Sequence, residues 1–363
     1  MLMRLRQVAA LAVFAGLVST GPANGDPADD MTAIHARLVD HALADTILPD
    51  HRALVDAAGA GQRAVAAFCR APSPDGLETA RNGFAALVSA FSRIEMYRFG
   101  PGLVDNRLAR LNFWPDRRGL GARQTRQIIR TEDPGALAAE SLGARSVAVQ
   151  GLSALEIVLF DSTDPGAAFP CAYGRTIATV IHGNATALLA DWQQSQAALL
   201  RNPGPENPLY RDEGEALQAL LKAAMEQIQV VEEQKLGRVL RNGPADANPR
   251  AAQFQRSGLM VPAAAANIAA SRALLDMARH VDADHPTLAG SLREVNFELT
   301  QSLDALDRVA RDATPIAARL HSTETHELLN YARIPLRAVV ALHETRLLPA
   351  LGLTRGFNAL DGD

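Results

Sequence analysis

The stretch VAVQGLSALEIVLF, residues 147–160, places one carboxylate inside an apolar run. Read as a helix, Leu152, Leu155, Glu156 and Leu159 fall at i, i+3, i+4 and i+7, so Glu156 sits on the stripe that faces a core. An ionised carboxylate in such a setting needs a cation, a cluster of hydrogen-bond donors or a metal, and otherwise stays protonated. Ser153, three residues earlier, lies close enough on the helix surface for its hydroxyl to bond the carboxylate or hold a water. A second string, HSTETHE at residues 321–327, carries His321, Glu324, His326 and Glu327. It falls at the start of a helical segment, where Ser322 or Thr323 would cap and Glu324 or Glu327 would favour the helix dipole. It lacks the H-E-x-x-H order of a zincin helix, and the chain has neither a G-x-S-x-G elbow nor a phosphate-binding loop.

Polar groups that could share a site with Glu156 are concentrated in residues 98–121, RFGPGLVDNRLARLNFWPDRRGLG. Long connections with little helical periodicity are more often functional or disordered than idle. Phe99, Leu103, Phe113 and Trp114 are large apolar groups that must pack, so the expectation is an ordered loop over a bundle end. Arg98, Asn106, Arg107, Asp116, Arg117 and Arg118 supply donors and acceptors. If Glu156 is ionised without a metal, Arg98 and Arg107 are the expected cationic partners in a structural ion pair. Trp114 reads as a packing anchor or a ligand stacker, and Asp116 as a site carboxylate or a partner of Arg117 and Arg118.

The elements that position these residues are helical. Alanine and leucine are plentiful, aromatic residues make up 5%, and no run of β-branched alternation appears. Phe84, Leu87, Val88, Phe91 and Ile94 line one face of one helix, and Ile177, Ile181, Leu188 and Trp192 line another. The pattern predicts helices near 29–70, 77–97, 121–131, 136–160 and 172–200, a break at RNPGPENP, then helices near 209–241, 256–281, 286–312 and 323–349. This predicts an all-α chain of two packed four-helix-bundle-like domains, residues 26–202 and 208–363. The final GFNALDGD contains Phe357 and Leu360, which predict a docked tail that brings Asp361 and Asp363 with it.

The first 25 residues have the parts of a signal peptide: Arg4 and Arg6, an apolar stretch from Val8 to Val18, and Ala23-Asn24-Gly25 as a cleavage site. Removing that leader takes two arginines from a formal net charge of −4, leaving −6, a balance that does not suggest nucleic-acid binding. No later stretch is long and apolar enough for a membrane helix. The expected location is the periplasm. Cys69 and Cys171, each beside a proline-marked turn, are expected to form a disulfide in that oxidising compartment.

Three stretches in order, RFGPGLVDNRLARLNFWPDRRG, SVAVQGLSALEIVLF and LGLTRGFNALDGD, resemble the imelysin family of exported bacterial proteins. The family's defining motif is G-x-H-x-x-E on a helix of a two-bundle, all-α fold. Gly151 stands at the motif glycine and Glu156 at the glutamate, but Ser153 occupies the histidine position. The motif has been taken as a metal-binding or peptidase signature, and several relatives belong to iron-uptake systems. The resemblance therefore implies a binding protein for a metal ion or small ligand, with iron or zinc as the candidate metal at Glu156 and an envelope iron-uptake partner. Its ligand-binding set would be Arg98, Asn106, Arg107, Trp114, Asp116, Ser153 and Glu156. The alternatives are a metal-dependent peptidase or a degenerate structural protein. A hydroxyl is a poorer ligand for Zn²⁺ or Fe²⁺ than imidazole, which weighs against the peptidase.

Overall fold

A computed structural model describes residues 27–277, 285–312 and 314–354. The leader and the tail from residue 355 lie outside these. Every long element is a helix, and no strand occurs among the described residues. In chain order the principal helices are α1 (Pro27–His41), α2 (Leu48–Arg70), α3 (Pro74–Ile94), α4 (Leu120–Thr131), α5 (Leu152–Phe160), α6 (Ala168–Asp191), α7 (Glu213–Gln229), α8 (Met260–Leu275), α9 (Pro286–Ala310) and α10 (Thr323–Leu342). A wide turn, Ala42–Ile47, carries α1 straight into α2, so the helix expected over 29–70 is continuous in path.

Local chemistry explains the boundaries. Ser73 accepts the Gly76 N–H at 3.1 Å, and Pro74 opens α3 where its missing N–H costs nothing. Asp212 caps α7 by accepting from Glu215 N–H at 2.9 Å. Ser322 caps α10 by accepting from Thr325 N–H at 3.3 Å, the role its place in HSTETHE suggested. There, His321 Nδ1 lies 2.9 Å from the Pro244 carbonyl and His326 Nε2 lies 3.1 Å from the Leu240 carbonyl. Both imidazoles tie α10 to the 240–244 turn.

Helices α2, α3 and α6 pack side by side, with α5 against α3 and α6. Gly61 and Gly83 let α2 and α3 approach closely, since a Cβ on Gly83 would lie 3.4 Å from the Gly61 Cα. Cys69 and Cys171 form the expected disulfide, with Cα atoms 5.4 Å apart, tying the end of α2 to the first turn of α6. In the second half, α9 packs on α8 and α10, and α7 on α8 and α10. The halves join where α8 lies against α3 and α7 against α1, and one apolar core runs through both.

A charged network is buried in that seam. Lys235, 1% exposed, donates to Glu95 Oε2 at 2.5 Å and to Asn267 Oδ1 at 2.6 Å, and Asn267 Nδ2 donates to the Ser92 carbonyl at 2.6 Å. Burial alone would push Glu95 up. The Lys235 and Arg98 charges and the hydrogen bonds from Lys235 and Asn267 outweigh it and hold the carboxyl below its usual range.

The helix expected over 136–160 does not form. Its place is taken by a 3₁₀ turn at Pro134–Ala136, a short helix Ala139–Gly143, a second 3₁₀ turn at Val147–Val149, and then α5. Residues 98–121 are ordered, as their apolar content requires, and contain the short helix Arg107–Leu111. Asn184 Nδ2 donates to the Arg107 carbonyl at 2.8 Å, fixing this helix to α6.

Two deeply placed imidazoles contribute to the acid response. Burial pushes His51 down to about 4 against a partly offsetting hydrogen bond with the Ile47 carbonyl, and burial pushes His343 down to about 4. Between the ordinary value of 6.5 and about 4, the unfolded chain binds protons that the folded chain does not. Stability present above that window is therefore lost as pH falls through it, on the order of 3 kcal/mol per site across the whole range. Urea midpoints measured at neutral pH and at about pH 5 are expected to drop for the wild type and to drop less for His51→Phe. Equal pH slopes would show that His51 does not contribute.

Candidate functional site

The site is built around Gly151, which precedes α5 at φ +82°. A Cβ here would collide with the Arg110 carbonyl oxygen and lie 2.6 Å from that of Leu111. Glycine is thus required both by the backbone and by the close passage of the 107–111 helix. That passage lays residues 112–116 along the first turn of α5. Ser153 Oγ lies 2.7 Å from Asn112 Oδ1 and 3.2 Å from the Phe113 carbonyl, so its proton is committed to this segment. Asp116 accepts from Leu120 N–H at 2.7 Å and Ala122 N–H at 3.2 Å, closing the start of α4. Trp114 lies between the seam network and open space, with Lys235 Nζ 5.7 Å from its ring centroid.

Glu156 is 3% exposed, and its partners come from the far half of the chain. Oε1 accepts from the Ser257 N–H at 3.0 Å and from the Ser257 hydroxyl at 2.7 Å, while the Arg256 guanidinium lies 3.5 Å from Oε2. Burial raises the Glu156 carboxyl above its usual range, and the Ser257 hydrogen bonds and Arg256 charge offset only part of that. Arg256 also lies 3.2 Å from Asp161, which Arg126 contacts at 2.6 Å. Burial opposes ionisation of Asp161, but the two guanidiniums prevail and hold it below the usual carboxylate range.

Glu156, Arg256 and Arg126 border a cavity of about 690 Å³. Residues 113–117, α4 and α5 form one wall, and Arg238 with residues 248–256 forms the other. Trp114, Asp116, Ser153 and Glu156 of the expected set meet here. Arg98, Asn106 and Arg107 do not. Arg98 is 3.6 Å from Glu95, Arg107 pairs with Asp191, and Asn106 is exposed with φ +55°. The expected ion pairs from Arg98 and Arg107 to Glu156 are therefore replaced by Arg256. The reason is topological: Glu156 meets the 256–257 segment of the second half, whereas Arg98 is held at Glu95 and Arg107 at Asp191 of α6.

The sequence reading missed Arg123, Arg126, Arg238, Arg250, Arg256 and Ser257. Arg117, Arg123 and Arg126 stand within ten residues of one another in WPDRRGLGARQTR, a signal that was legible. Arg238 lies on the helical run that follows α7, and Arg250, Arg256 and Ser257 come from a connection with no motif. Among the described residues, no three His, Cys, Asp or Glu side chains come together as a metal cage. Glu156 already accepts two hydrogen bonds from Ser257 and faces the Arg256 guanidinium, so the donor set does not fit a resident metal ion.

Fold and site together define an all-helical protein whose two halves enclose a pocket at a Gly151-x-Ser153-x-x-Glu156 helix start. The chain belongs to the imelysin family, whose model, described as Imelysin, matches residues 47–343. No curated protein sequence matches it. Among solved structures, an imelysin-like protein from Psychrobacter arcticum 273-4 is similar with a TM-score of 0.73 and 20% identity, over 90% of this chain and 98% of that one. A "putative iron-regulated protein A precursor" from Parabacteroides distasonis ATCC 8503 is similar with a TM-score of 0.68 and 18% identity, over 90% and 97%.

Replacing Glu156 distinguishes its charge from its bonds. Glu156→Ala strands Ser257 and Arg256 and is expected to cost about 2–4 kcal/mol of unfolding free energy. Glu156→Gln keeps an oxygen for Ser257 and is expected to cost about 1 kcal/mol. Gly151→Ala is expected to cost about 3 kcal/mol or more, since strain and collision act together. Denaturant titrations check all three, and a neutral Gly151→Ala would show that the 107–111 passage is not tight.

Proposed function

We propose that the chain is an exported, periplasmic binding protein of the imelysin type, which holds a small ligand in the cleft between its helical halves and serves iron acquisition with an envelope partner. The division into an N-terminal bundle (26–202) and a C-terminal bundle (208–363) is part of this reading. The observation that carries it is the cavity itself. At about 690 Å³ it is of the size that holds small organic molecules, and it stands at the family's motif position with walls from both halves. No helix among the described residues is long and apolar enough to cross a membrane, and the leader pattern of residues 1–25 is read as the export signal. The link to iron is supported by the name of the Parabacteroides relative.

Binding is favoured over peptidase chemistry by the donor set. A metallopeptidase needs about three protein ligands and an open coordination position. Here Ser153 replaces the motif imidazole, and Glu156 is engaged by Ser257 and Arg256.

Untagged protein purified from the periplasm tests the reading. Its mature N-terminus is expected at Asp26, and native mass spectrometry is expected to show a bound small molecule that Trp114→Ala weakens. Metal content measured beside Glu156→Gln asks separately whether iron or zinc travels with the protein. Retention in the cytoplasm, or ligand retention unchanged by Trp114→Ala, would count against the proposal.

A further inference from the structure

The charge of the pocket is opposite to that of the chain. The protein carries a formal net charge of −4, yet the cavity is lined by six arginines against two carboxylates. Those two acids are already engaged, Asp116 by the N–H groups of α4 and Glu156 by Ser257 and Arg256. Arg117, Arg123 and Arg126 come from one wall and Arg238, Arg250 and Arg256 from the other. Asp161 pairs with Arg126 and Arg256. Arg117, Arg238 and Arg250 have no acidic partner among the described residues.

Guanidiniums without acidic partners on two walls of one concavity are open to an anion. Each presents a planar fork that matches a carboxylate through two parallel hydrogen bonds. Between them, Phe113, Trp114, Ile157 and Phe254 supply apolar surface for a carbon skeleton. A bare divalent cation meets the opposite field here, and finds no group of three suitable ligands.

We infer that the pocket binds a small organic polycarboxylate, as the free anion or as its ferric complex. The inference rests on the reading of this cavity as the ligand site and specifies what fills it. It also reconciles a motif without histidine with a role in iron handling: the iron's ligands are carried by the chelator, and the protein recognises the outward-facing carboxylates. Arg117 on one wall and Arg238 and Arg250 on the other, free of acidic partners among the described residues, select a ligand with acid groups at both ends, so that binding bridges the halves.

Calorimetric titration tests this with citrate, ferric citrate, inorganic phosphate, and Fe²⁺ or Zn²⁺ alone. Trp114 fluorescence in a Trp192→Phe background gives a second readout from the pocket wall. Citrate or ferric citrate is expected to bind, more weakly as ionic strength rises. Arg238→Gln with Arg250→Gln is expected to lower that affinity about 10–100-fold, with an unchanged thermal midpoint, because neither residue is spent on an ion pair. Preference for ferric citrate over citrate identifies the complex as the cargo, and the reverse identifies the free acid. Binding only to phosphate, or only to bare metal with loss in Glu156→Gln, overturns the inference. So does failure of both citrate forms. If both fail while periplasmic protein still carries a small molecule that Trp114→Ala releases, the binding-protein reading stands and only the ligand class falls.

Discussion

The structure depends on the cost of burying a carboxylate. Glu95 and Glu156 both lie in the first half of the chain, and both are almost removed from water. Their principal donors belong to the second half: Lys235 and Asn267 for Glu95, and Ser257 and Arg256 for Glu156. Sliding the halves past one another while they stay packed would leave these groups desolvated and unpaired at several kcal/mol each. Apolar contacts between α3 and α8 supply attraction across the seam, but they are tolerant of sliding. The two carboxylates admit one register.

That register creates the pocket. Bonding Glu156 to Ser257 brings the 248–257 connection over α5, facing residues 113–117 across a gap that neither wall fills. Arg256 accompanies Ser257 and reaches Asp161, and Arg126 reaches Asp161 from α4. The acidic motif residue is thus the fastening of a basic cavity. Its raised pKa follows from the same burial. A residue that would be a metal ligand if its motif were intact here holds together the two walls that present arginines.

The backbone around the motif is adapted to this. A continuous helix over 136–160 would have matched the local hydrophobic pattern. Its last break falls at Gly151, which takes a positive φ and passes against the carbonyls of Arg110 and Leu111. The interruption turns the first turn of α5 toward the 112–116 segment, where Ser153 bonds Asn112.

The sequence by itself determined the helical class, the capping of α10 at Ser322 and the helical face from Phe84 to Ile94. These depend on contacts between near neighbours, and 3.6-residue periodicity and capping chemistry are written locally. The family resemblance pointed to Gly151, Ser153 and Glu156, and Trp114 and Asp116 stood out in their loop. Only the tertiary structure decided which cation Glu156 would meet, because Arg98, Arg107 and Arg256 are equivalent as letters and differ in the carboxylate that the fold brings to each. It likewise decided that arginines as distant in sequence as Arg117 and Arg250 share one cavity. Electrostatic potential sums over space, and no local pattern in the chain records that sum.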